Sequence, residues 1–252
     1  MGNISINIIE SSSNGNCILL NDGLTSIFLD FGSDYKNIKN SLNLNGLLKK
    51  TIVAALITHE HIDHTRSINN NFFEDVHFYL TKGTHQCLNN INRKFIDVEF
   101  NKWVKVPNSN WKFKAFPTLH NANESACFLI KNKRKNILYL TDTRYFVNKK
   151  FKGCNCYIIE SNYGCEIIES KVKSNIHNNL CNRNHLNLKE NEQLFYQYTT
   201  KKTKLYIMSH LSSKLIDDKL INLVTKKLQE KNRWIKVEYI DPNKINFYKW
   251  VI

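Results

Sequence analysis

Short apolar runs bounded by polar or turn-forming residues dominate the first two thirds of the chain. Runs of this kind predict β-strands. They cover residues 4–9, 17–20, 26–31, 53–57, 76–80, 111–116, 126–130, 137–140 and 157–159. An Asn-Asp-Gly turn at 21–23 predicts a hairpin, and the Ser-, Asn- and Gly-rich segment 11–16 predicts a loop.

The remaining segments are longer and show helical spacing. They predict helices over 35–49, 166–180, 188–199 and 215–228, and strands over 205–208, 235–240 and 245–250. In the last helix one stripe holds the apolar positions Leu215, Ile216, Leu220, Leu223, Val224 and Leu228. Strands that dominate each half and are followed by helices predict an α/β fold, with two sheets covered by helices in one domain over residues 1–252.

The charge balance indicates a negatively charged partner. The chain carries 36 basic and 22 acidic residues, a formal net charge of +14. Such an excess favours nucleic acid or a phosphate-bearing substrate, and the alternative is a general contribution to solubility. Lys131, Lys133, Arg134 and Lys135 are clustered between two predicted strands, which is typical either of a solvated hairpin turn or of a contact with a nucleic-acid backbone.

The cysteines and the apolar runs predict a cytoplasmic location. The seven cysteines are an odd number, and most of them lie within apolar runs, as expected for free thiols in a reducing compartment. No run approaches the roughly 18 apolar residues that a membrane span requires, so we expect no membrane partner. The N-terminal residues do not resemble a signal peptide.

A dense group of potential metal ligands follows the predicted strand 53–57. His59, His61, Asp63 and His64 form the pattern H-x-H-x-D-H. His59 and His61 can face one cation, while Asp63 and His64 turn toward a second. Imidazole and carboxylate ligands suit zinc, with manganese or iron as alternatives. A solvated polar loop is the competing interpretation, but such a cluster is costly directly after a buried strand.

Three further candidate ligands follow other predicted strands. They are His120, Asp142 and His210, each at the point where an apolar run opens into a polar segment. Individually, each is also explained as a strand-end cap. Taken together with H-x-H-x-D-H, they predict a metal site in which the Asp142 carboxylate bridges two cations ~3.5–4 Å apart.

These motifs resemble those of metallo-β-lactamase-superfamily hydrolases, and most closely the branch of tRNase Z, the WalJ-type exonucleases and small phage-encoded relatives. The segment 11–17 is similar to a "GSSGNC" opening, 140–143 to a "TDT" motif, 209–212 to a terminal "HLS", and 184–187 to a "(G/S)HLS" loop. The resemblance implies a four-layer αββα sandwich and a homodimer. It also implies two divalent transition-metal ions, zinc in the first place and manganese as an alternative.

The resemblance also implies roles for residues outside the ligand set. Asp30 matches an acidic residue that orients a ligand from behind. His185, paired with Glu160, matches a catalytic histidine–glutamate pair; the alternatives are a surface histidine before a helix and a strand-end charge. Asp63 would accept or orient the proton of the attacking water. Ser13 and Asn16 are candidates for hydrogen bonds to a phosphate, unless their segment is only a turn.

The chain departs from that branch in three places. Asn121 stands where the branch usually has aspartate beside a ligand, which affects metal affinity or pH optimum. Asn187 replaces the helix-capping serine, and asparagine also caps helices. The segment between the predicted strands 76–80 and 111–116 is short, so no inserted substrate-binding arm is expected.

The sequence therefore predicts a dinuclear metal-dependent phosphodiesterase that hydrolyses nucleic acid or nucleotides. The alternative is a cyclic-nucleotide phosphodiesterase of the phage type, which would degrade immune signalling nucleotides in a host cytoplasm. The net charge favours the first, and the small size of the chain favours the second. Other hypotheses are a non-catalytic nucleic-acid-binding module, which usually lacks several ligands, and another metallo-hydrolase such as a lactamase or thioesterase.

Overall fold

Two seven-stranded sheets form the centre of the computed structural model, which describes residues 2–88, 91–146, 148–164, 184–243 and 248–252. The first sheet contains β1 (Ser5–Ser12), β2 (Gly15–Asn21), β3 (Ser26–Leu29), β4 (Ile52–Leu56), β5 (His77–Thr81), β6 (Phe95–Val98) and β14 (Tyr248–Val251). The second contains β7 (Trp103–Lys105), β8 (Trp111–Pro117), β9 (Ala126–Asn132), β10 (Lys135–Leu140), β11 (Cys156–Glu160), β12 (Leu205–Ser209) and β13 (Lys236–Tyr239). Their strand orders are β14-β1-β2-β3-β4-β5-β6 and β13-β12-β11-β10-β9-β8-β7.

Helices cover the outer faces of both sheets. The described helices are α1 (Tyr35–Leu44), α2 (Ile62–Thr65), α3 (Lys82–Cys87), α4 (Leu188–Tyr198) and α5 (Asp218–Lys231), with short 3-10 turns at Lys49–Thr51, Asn71–Phe73 and Lys149–Phe151. Ile38 and Leu42 of α1 pack on the first sheet, and Phe195 of α4 and Ile221 of α5 pack on the second. This arrangement confirms the predicted four-layer αββα sandwich. None of the helices in the described ranges is long and apolar enough to cross a membrane.

Successive side chains along each strand point alternately into the core between the sheets and toward the outer helical layers. In β8, Trp111, Phe113 and Ala115 point into the inner core, while Lys112 and Lys114 point outward. Burying a side chain of the size of Phe113 contributes roughly 1.5–3 kcal/mol, so this period of two fixes which face meets the other sheet.

The parallel strands of both sheets end at one common edge. In the first sheet β3 and β4 are parallel, and in the second sheet β10, β11 and β12 are parallel. The backbone N–H of Ala126 donates to the Thr58 carbonyl at 2.9 Å, and Ser12 forms a bridge with Leu211. These contacts join the two sheets at the edge to which the strand C-termini point.

Several element boundaries differ from the sequence prediction. The predicted loop 11–16 is instead a tight hairpin between β1 and β2, because both strands continue to Ser12 and Gly15. The first helix ends at Leu44, and the last begins only after its N-cap Asp217, so the start of the predicted apolar stripe precedes the helix. The predicted helix 166–180 and the start of the predicted strand 245–250 lie outside the described residues.

The segment between β5 and β8 contains two strands that the sequence pattern did not reveal. β6 extends the edge of the first sheet, and β7 extends the edge of the second. Both are short, with three or four residues, and polar positions interrupt their apolar pattern. The short segment therefore completes the two sheets.

One glycine allows the ligand-bearing loop to approach the first sheet. A Cβ on Gly32 would lie 1.6 Å from the carbonyl oxygen of Asp63, a backbone atom with little freedom to move. The neighbouring Phe31 N–H donates to the His64 carbonyl at 2.8 Å. Any side chain at Gly32 would therefore displace the loop that carries Asp63 and His64.

Candidate metal centre

Three polar residues of the candidate site adopt left-handed backbone conformations within two residues of a strand end. Asp30 follows β3 with φ 55°, Asp142 follows β10 with φ 46°, and His210 follows β12 with φ 52°. This region is sparsely populated by residues other than glycine, although aspartate and histidine occupy it more often than most. Each residue turns the chain sharply at the common edge, and unusual conformations of this kind concentrate at functional sites.

The first group of candidate ligands contains His59, His61, His120 and Asp142. His59 Nε2 lies 3.0 Å from His61 Nδ1, which lies 3.2 Å from His120 Nε2. Asp142 Oδ2 lies 3.7 Å from His59 Nε2 and 3.4 Å from His120 Nε2. Three imidazoles and one carboxylate oxygen thus converge on one point.

The second group contains Asp63, His64, Asp142 and His210. His64 Nε2 lies 3.2 Å from Asp63 Oδ2 and 3.6 Å from Asp142 Oδ1. His210 Nδ1 lies 3.2 Å from the same Asp142 Oδ1. The two oxygens of Asp142 therefore face different groups, Oδ2 the first and Oδ1 the second.

The donor atoms and their spacing suit zinc. Four ligands placed 2.0–2.1 Å from a tetrahedral zinc ion lie roughly 3.3–3.4 Å from one another. The distances within the two groups, 3.0 to 3.7 Å, bracket that value. Imidazole nitrogen and carboxylate oxygen are also ligands that manganese accepts. All seven candidate ligands predicted from the sequence are brought together in these two groups.

Burial lowers the pKa of three of the candidate histidine ligands. It lowers the pKa of His59 well below the ordinary value, and it also lowers the pKa of His120 and His210. The neutral imidazole is the form that binds a metal. Burial opposes ionisation of Asp142, but His210 and His64 hold the pKa of its carboxyl well below the usual range, so both oxygens are available as ligands.

His64 differs from the other imidazoles. Burial opposes its positive charge, yet Asp63 and Asp30 raise the pKa of His64 well above the ordinary value. A cation that binds the second group therefore competes with a proton.

A buried network behind the ligands orients them. Asp30 Oδ2 accepts hydrogen bonds from His64 Nδ1 at 2.8 Å and from the Tyr139 hydroxyl at 2.7 Å. Asp30 Oδ1 accepts from the Thr58 backbone N–H at 2.8 Å, and the Thr58 hydroxyl lies 3.0 Å from His59 Nδ1. Because Nδ1 of His64 donates to Asp30, its Nε2 is the ring nitrogen that faces the second group.

The sequence interpretation missed two members of this network. Thr58 directly precedes the histidine motif, and Tyr139 lies inside the apolar run of β10. A hydroxyl within a buried strand was the only available signal for Tyr139. His120 is oriented in a similar way, since its Nδ1 donates to the Asn184 carbonyl at 3.1 Å.

The structure places the two predicted phosphate-binding residues differently. Ser13 is exposed in the β1–β2 turn and lines the cleft above the metal-ligand groups. Asn16 is 1 % exposed and lies beneath the ligands. Its Nδ2 donates to Asp63 Oδ2 at 3.3 Å, and its Oδ1 lies 3.1 Å from His210 Nδ1. Asn16 therefore positions Asp63 and His210, and this burial leaves it no path to a substrate.

His185 and Glu160 form a close pair beside both ligand groups. His185 Nδ1 lies 2.9 Å from Glu160 Oε2, and Glu160 Oε1 accepts from the backbone N–H groups of Thr143 and Leu186. Burial would lower the pKa of His185, but the Glu160 carboxylate outweighs this effect and raises it to about 9. With Nδ1 turned to Glu160, the Nε2 atom of His185 is left for the cleft.

A polar cleft of about 300 Å³ lies over the two groups. It is lined by Ser13, His61, Asp63, His120, Asn121, Asp142, Asn162, Asn184, His185, His210 and Ser212. Its volume suits one small ligand or one unit of a polymer. Asn121, the departure from the usual acidic residue, is exposed in this lining.

Asn187, which stands where the branch usually has a serine, caps the N-terminus of α4 with its own side chain. Asn187 Oδ1 accepts from the Glu190 N–H, and Glu190 Oε2 accepts from the Asn187 N–H, both at 2.9 Å. This reciprocal capping box fixes the start of α4 just after His185. Asparagine therefore replaces the usual serine here and still caps the helix.

The αββα sandwich and the ligand groups at its strand ends define a metal-dependent hydrolase of the metallo-β-lactamase fold. Residues 29–208 match the family described as "Beta-lactamase superfamily domain". The exodeoxyribonuclease WalJ of Streptococcus pneumoniae serotype 2 is 24% identical over 224 residues, covering 81% of this chain and 80% of that protein. The chain belongs to the beta-lactamase superfamily, and the resemblance to its nuclease branch is confirmed.

Solved structures share the complete fold. The metallo-beta-lactamase fold protein YhfI from Bacillus subtilis has a TM-score of 0.73 at 12% identity, covering 100% of both chains. The short form of human tRNase Z has a TM-score of 0.67 at 12% identity, covering 98% of both chains. At this level of identity the likeness establishes the fold of the chain.

The network behind the ligands predicts a specific effect of Asp30→Asn. The amide has one acceptor oxygen in place of two and no negative charge, so it cannot accept at both the Oδ2 position, where His64 and Tyr139 donate, and the Oδ1 position, where the Thr58 N–H donates, and the network that orients His64 is broken. We expect the affinity for zinc to fall by about 10–100-fold, the range typical of lost ligand-orienting partners. Competition with a chromophoric chelator measures this affinity. The control Tyr139→Phe removes one of these hydrogen bonds and is expected to lower the zinc affinity less. Equal zinc affinity in Asp30→Asn and in the unmodified protein would exclude the orienting role of Asp30.

Proposed function

We propose that this protein is a dinuclear metal-dependent phosphodiesterase that hydrolyses nucleic acid. The observation that carries the proposal is the position of Asp142, whose two oxygens face two separate ligand groups, with the His185–Glu160 pair beside both. A carboxylate shared in this way holds two cations at a fixed short separation. Two cations of this kind, zinc in the first place, would lower the pKa of a water molecule and neutralise charge on a phosphodiester.

The residues of the chain divide the remaining work. His59, His61 and His120 would hold one cation, Asp63, His64 and His210 the other, and Asp142 both. Asp63 carries a partly exposed carboxylate at the cleft, where it accepts or orients a proton of the attacking water. Asp30 stays behind the ligands and keeps His64 in place.

His185 would donate a proton to the leaving oxygen. Despite the burial of His185, the Glu160 carboxylate beside its Nδ1 raises its pKa and so favours the protonated imidazole that a general acid requires. Glu160 is buried and bonded to two backbone N–H groups, so it fixes the imidazole and stabilises its charge. The alternatives of a surface histidine and a strand-end charge do not account for this pairing.

The negatively charged substrate is supported by the net charge of +14 and by the sequence relative that is an exodeoxyribonuclease. The test is a panel of single-stranded DNA, duplex DNA, RNA and cyclic mononucleotides, each assayed with zinc or manganese. We expect hydrolysis of at least one nucleic acid, and none by an Asp142→Ala variant. Hydrolysis confined to cyclic mononucleotides would favour the alternative phosphodiesterase, and no hydrolysis of any substrate would reject the proposed function.

The shared carboxylate predicts how metal content responds to substitution. We expect about two zinc equivalents per chain in the unmodified protein. His61→Ala should lose the cation of the first group together with activity, while Asp142→Ala should lower occupancy at both positions because its oxygens face both. Elemental analysis of protein purified without chelator measures this difference. Two full equivalents in Asp142→Ala would contradict the bridging role.

The proposed general acid predicts a dependence on the leaving group. His185→Ala should retain the cations while the rate on a nucleic acid falls by ~10²–10⁴, the range for a lost general acid. The loss should be much smaller on bis-p-nitrophenyl phosphate, whose leaving group departs without a proton.

Metal analysis is the control for this variant, because His185 also lies in a third group of possible ligands with Asp142, Glu160 and His210. A loss of metal in His185→Ala would make it a ligand. An equal loss of rate on both substrates would instead indicate a binding role.

A further inference from the structure

The outer face of β7, β8 and β9 carries an array of lysines around an exposed tryptophan. We call this array the lysine face; it consists of Trp103, Lys105, Lys112, Lys114 and Lys131. Their neighbours in sequence, among them Val104, Phe113 and Ile130, point into the inner core, so all five side chains lie on the opposite, outer face of the sheet.

The strand register brings the like charges of this face directly opposite one another. Lys105 pairs with Lys112 across β7 and β8, and Lys112 pairs with Lys131 across β8 and β9. Directly opposite side chains are separated by roughly 4.5–5.5 Å, and like charges at this distance destabilise a sheet. None of these lysines forms an ion pair with a described carboxylate. The array therefore opposes folding stability unless a polyanion neutralises it.

Trp103 adds an aromatic surface at the centre of this charge. It is 46 % exposed on the edge strand β7, where a large apolar side chain has no role in the core. The ammonium groups of Lys112 and Lys114 lie 5.1 and 5.2 Å from its ring centroid. Proteins that bind single-stranded nucleic acid without sequence preference use two features together. Bases stack on exposed aromatic rings, and cationic side chains contact the phosphates along the backbone.

The lysine face connects to the candidate metal centre along one strand. β8 runs from Trp111 to Pro117 toward the common edge, and His120 follows three residues later. The six residue-to-residue steps from Lys114 to His120 span at most about 20 Å of chain. A strand whose scissile phosphate lies in the cleft can thus extend down the outer face of β8.

We propose that the lysine face binds the single strand of the nucleic-acid substrate beyond the cleft, with Trp103 stacking on a base and the lysines contacting phosphates. This inference rests on the proposed function for the identity of the substrate.

The basic hairpin 131–135 has a different position. Its turn at Lys133 and Arg134 lies at the end of β9 and β10 that points away from the metal-ligand groups, so only Lys131 of that cluster belongs to the lysine face.

The test compares Lys112→Gln/Lys114→Gln and Trp103→Ala with a charge-matched control. Lys36→Gln/Lys39→Gln removes two exposed lysines from α1, on the other sheet. Binding of labelled single strands of about 20 nucleotides, DNA and RNA in separate arms, is followed by fluorescence anisotropy at several salt concentrations. All proteins carry His185→Ala so that the probe stays intact, which is checked on a gel.

We expect Trp103→Ala to weaken binding by roughly 5- to 100-fold. The double lysine variant should weaken it and reduce the slope of log K against log salt by about 1.4, since each single-strand phosphate contact contributes ~0.7. The α1 control should change the slope by much less. The melting temperature of the double lysine variant should stay the same or rise, because opposed like charges are removed.

Kinetics with His185 intact distinguish this proposal from the proposed function. The lysine-face variants should lose kcat/KM on the long strands and keep it on bis-p-nitrophenyl phosphate and on a dinucleotide, which are too short to reach β7. Absent hydrolysis by the unmodified protein would reject the proposed function, while the binding measurement would still test the lysine face. Binding equal to that of the α1 control, or binding only to phosphatidylserine vesicles, would overturn the inference.

Discussion

Three carboxylates are buried at the common edge of the two sheets. Hydrogen-bond donors and imidazoles around them offset the cost of burying their negative charge. Asp30, Asp142 and Glu160 are between 0 and 3 % exposed. An unpaired buried carboxylate costs several kcal/mol, so each requires nearby cations or hydrogen-bond donors. Asp30 has Thr58, His64 and Tyr139, Glu160 has two backbone N–H groups and His185, and Asp142 lies among imidazoles of both ligand groups.

This constraint explains why strand ends carry the site. Each of the three carboxylates ends or follows a parallel strand, where the rigid sheet fixes the backbone while the chain turns away. Left-handed conformations at Asp30 and Asp142 make those turns abrupt. The helices and the inner core hold the strands in register, so the positions of the ligands follow from packing that lies far from any metal. A site built on sheets in this way is already arranged before a cation binds.

The distribution of positive charge separates two uses of lysine in this protein. The hairpin turn at Lys133 and Arg134 is remote from the candidate metal centre. The lysines of β8 lie on the strand that leads to His120, and they are opposed by other lysines across the sheet. Net charge alone does not distinguish these cases; the strand register does, because it determines which charges share a face.

The strands, the helical stripe and the seven candidate ligands could be predicted from local patterns, because a period of two, a helical stripe and the spacing H-x-H-x-D-H are each visible within one segment, and each further candidate ligand follows one apolar run. The four-layer αββα sandwich and the His185–Glu160 pair were implied by the family resemblance. The single domain over residues 1–252, the homodimer and the cytoplasmic location remain predictions.

How residues distant in sequence come into contact is visible only in the folded chain. Tyr139 and Thr58 join Asp30 because β10 of one sheet lies over β3 and β4 of the other, and no local pattern records that contact. Asn16 lies beneath the ligands because the predicted loop is a tight hairpin. The edge strands β6 and β7 were missed because a strand of three or four residues is defined by the neighbour it pairs with, and that neighbour is distant in sequence.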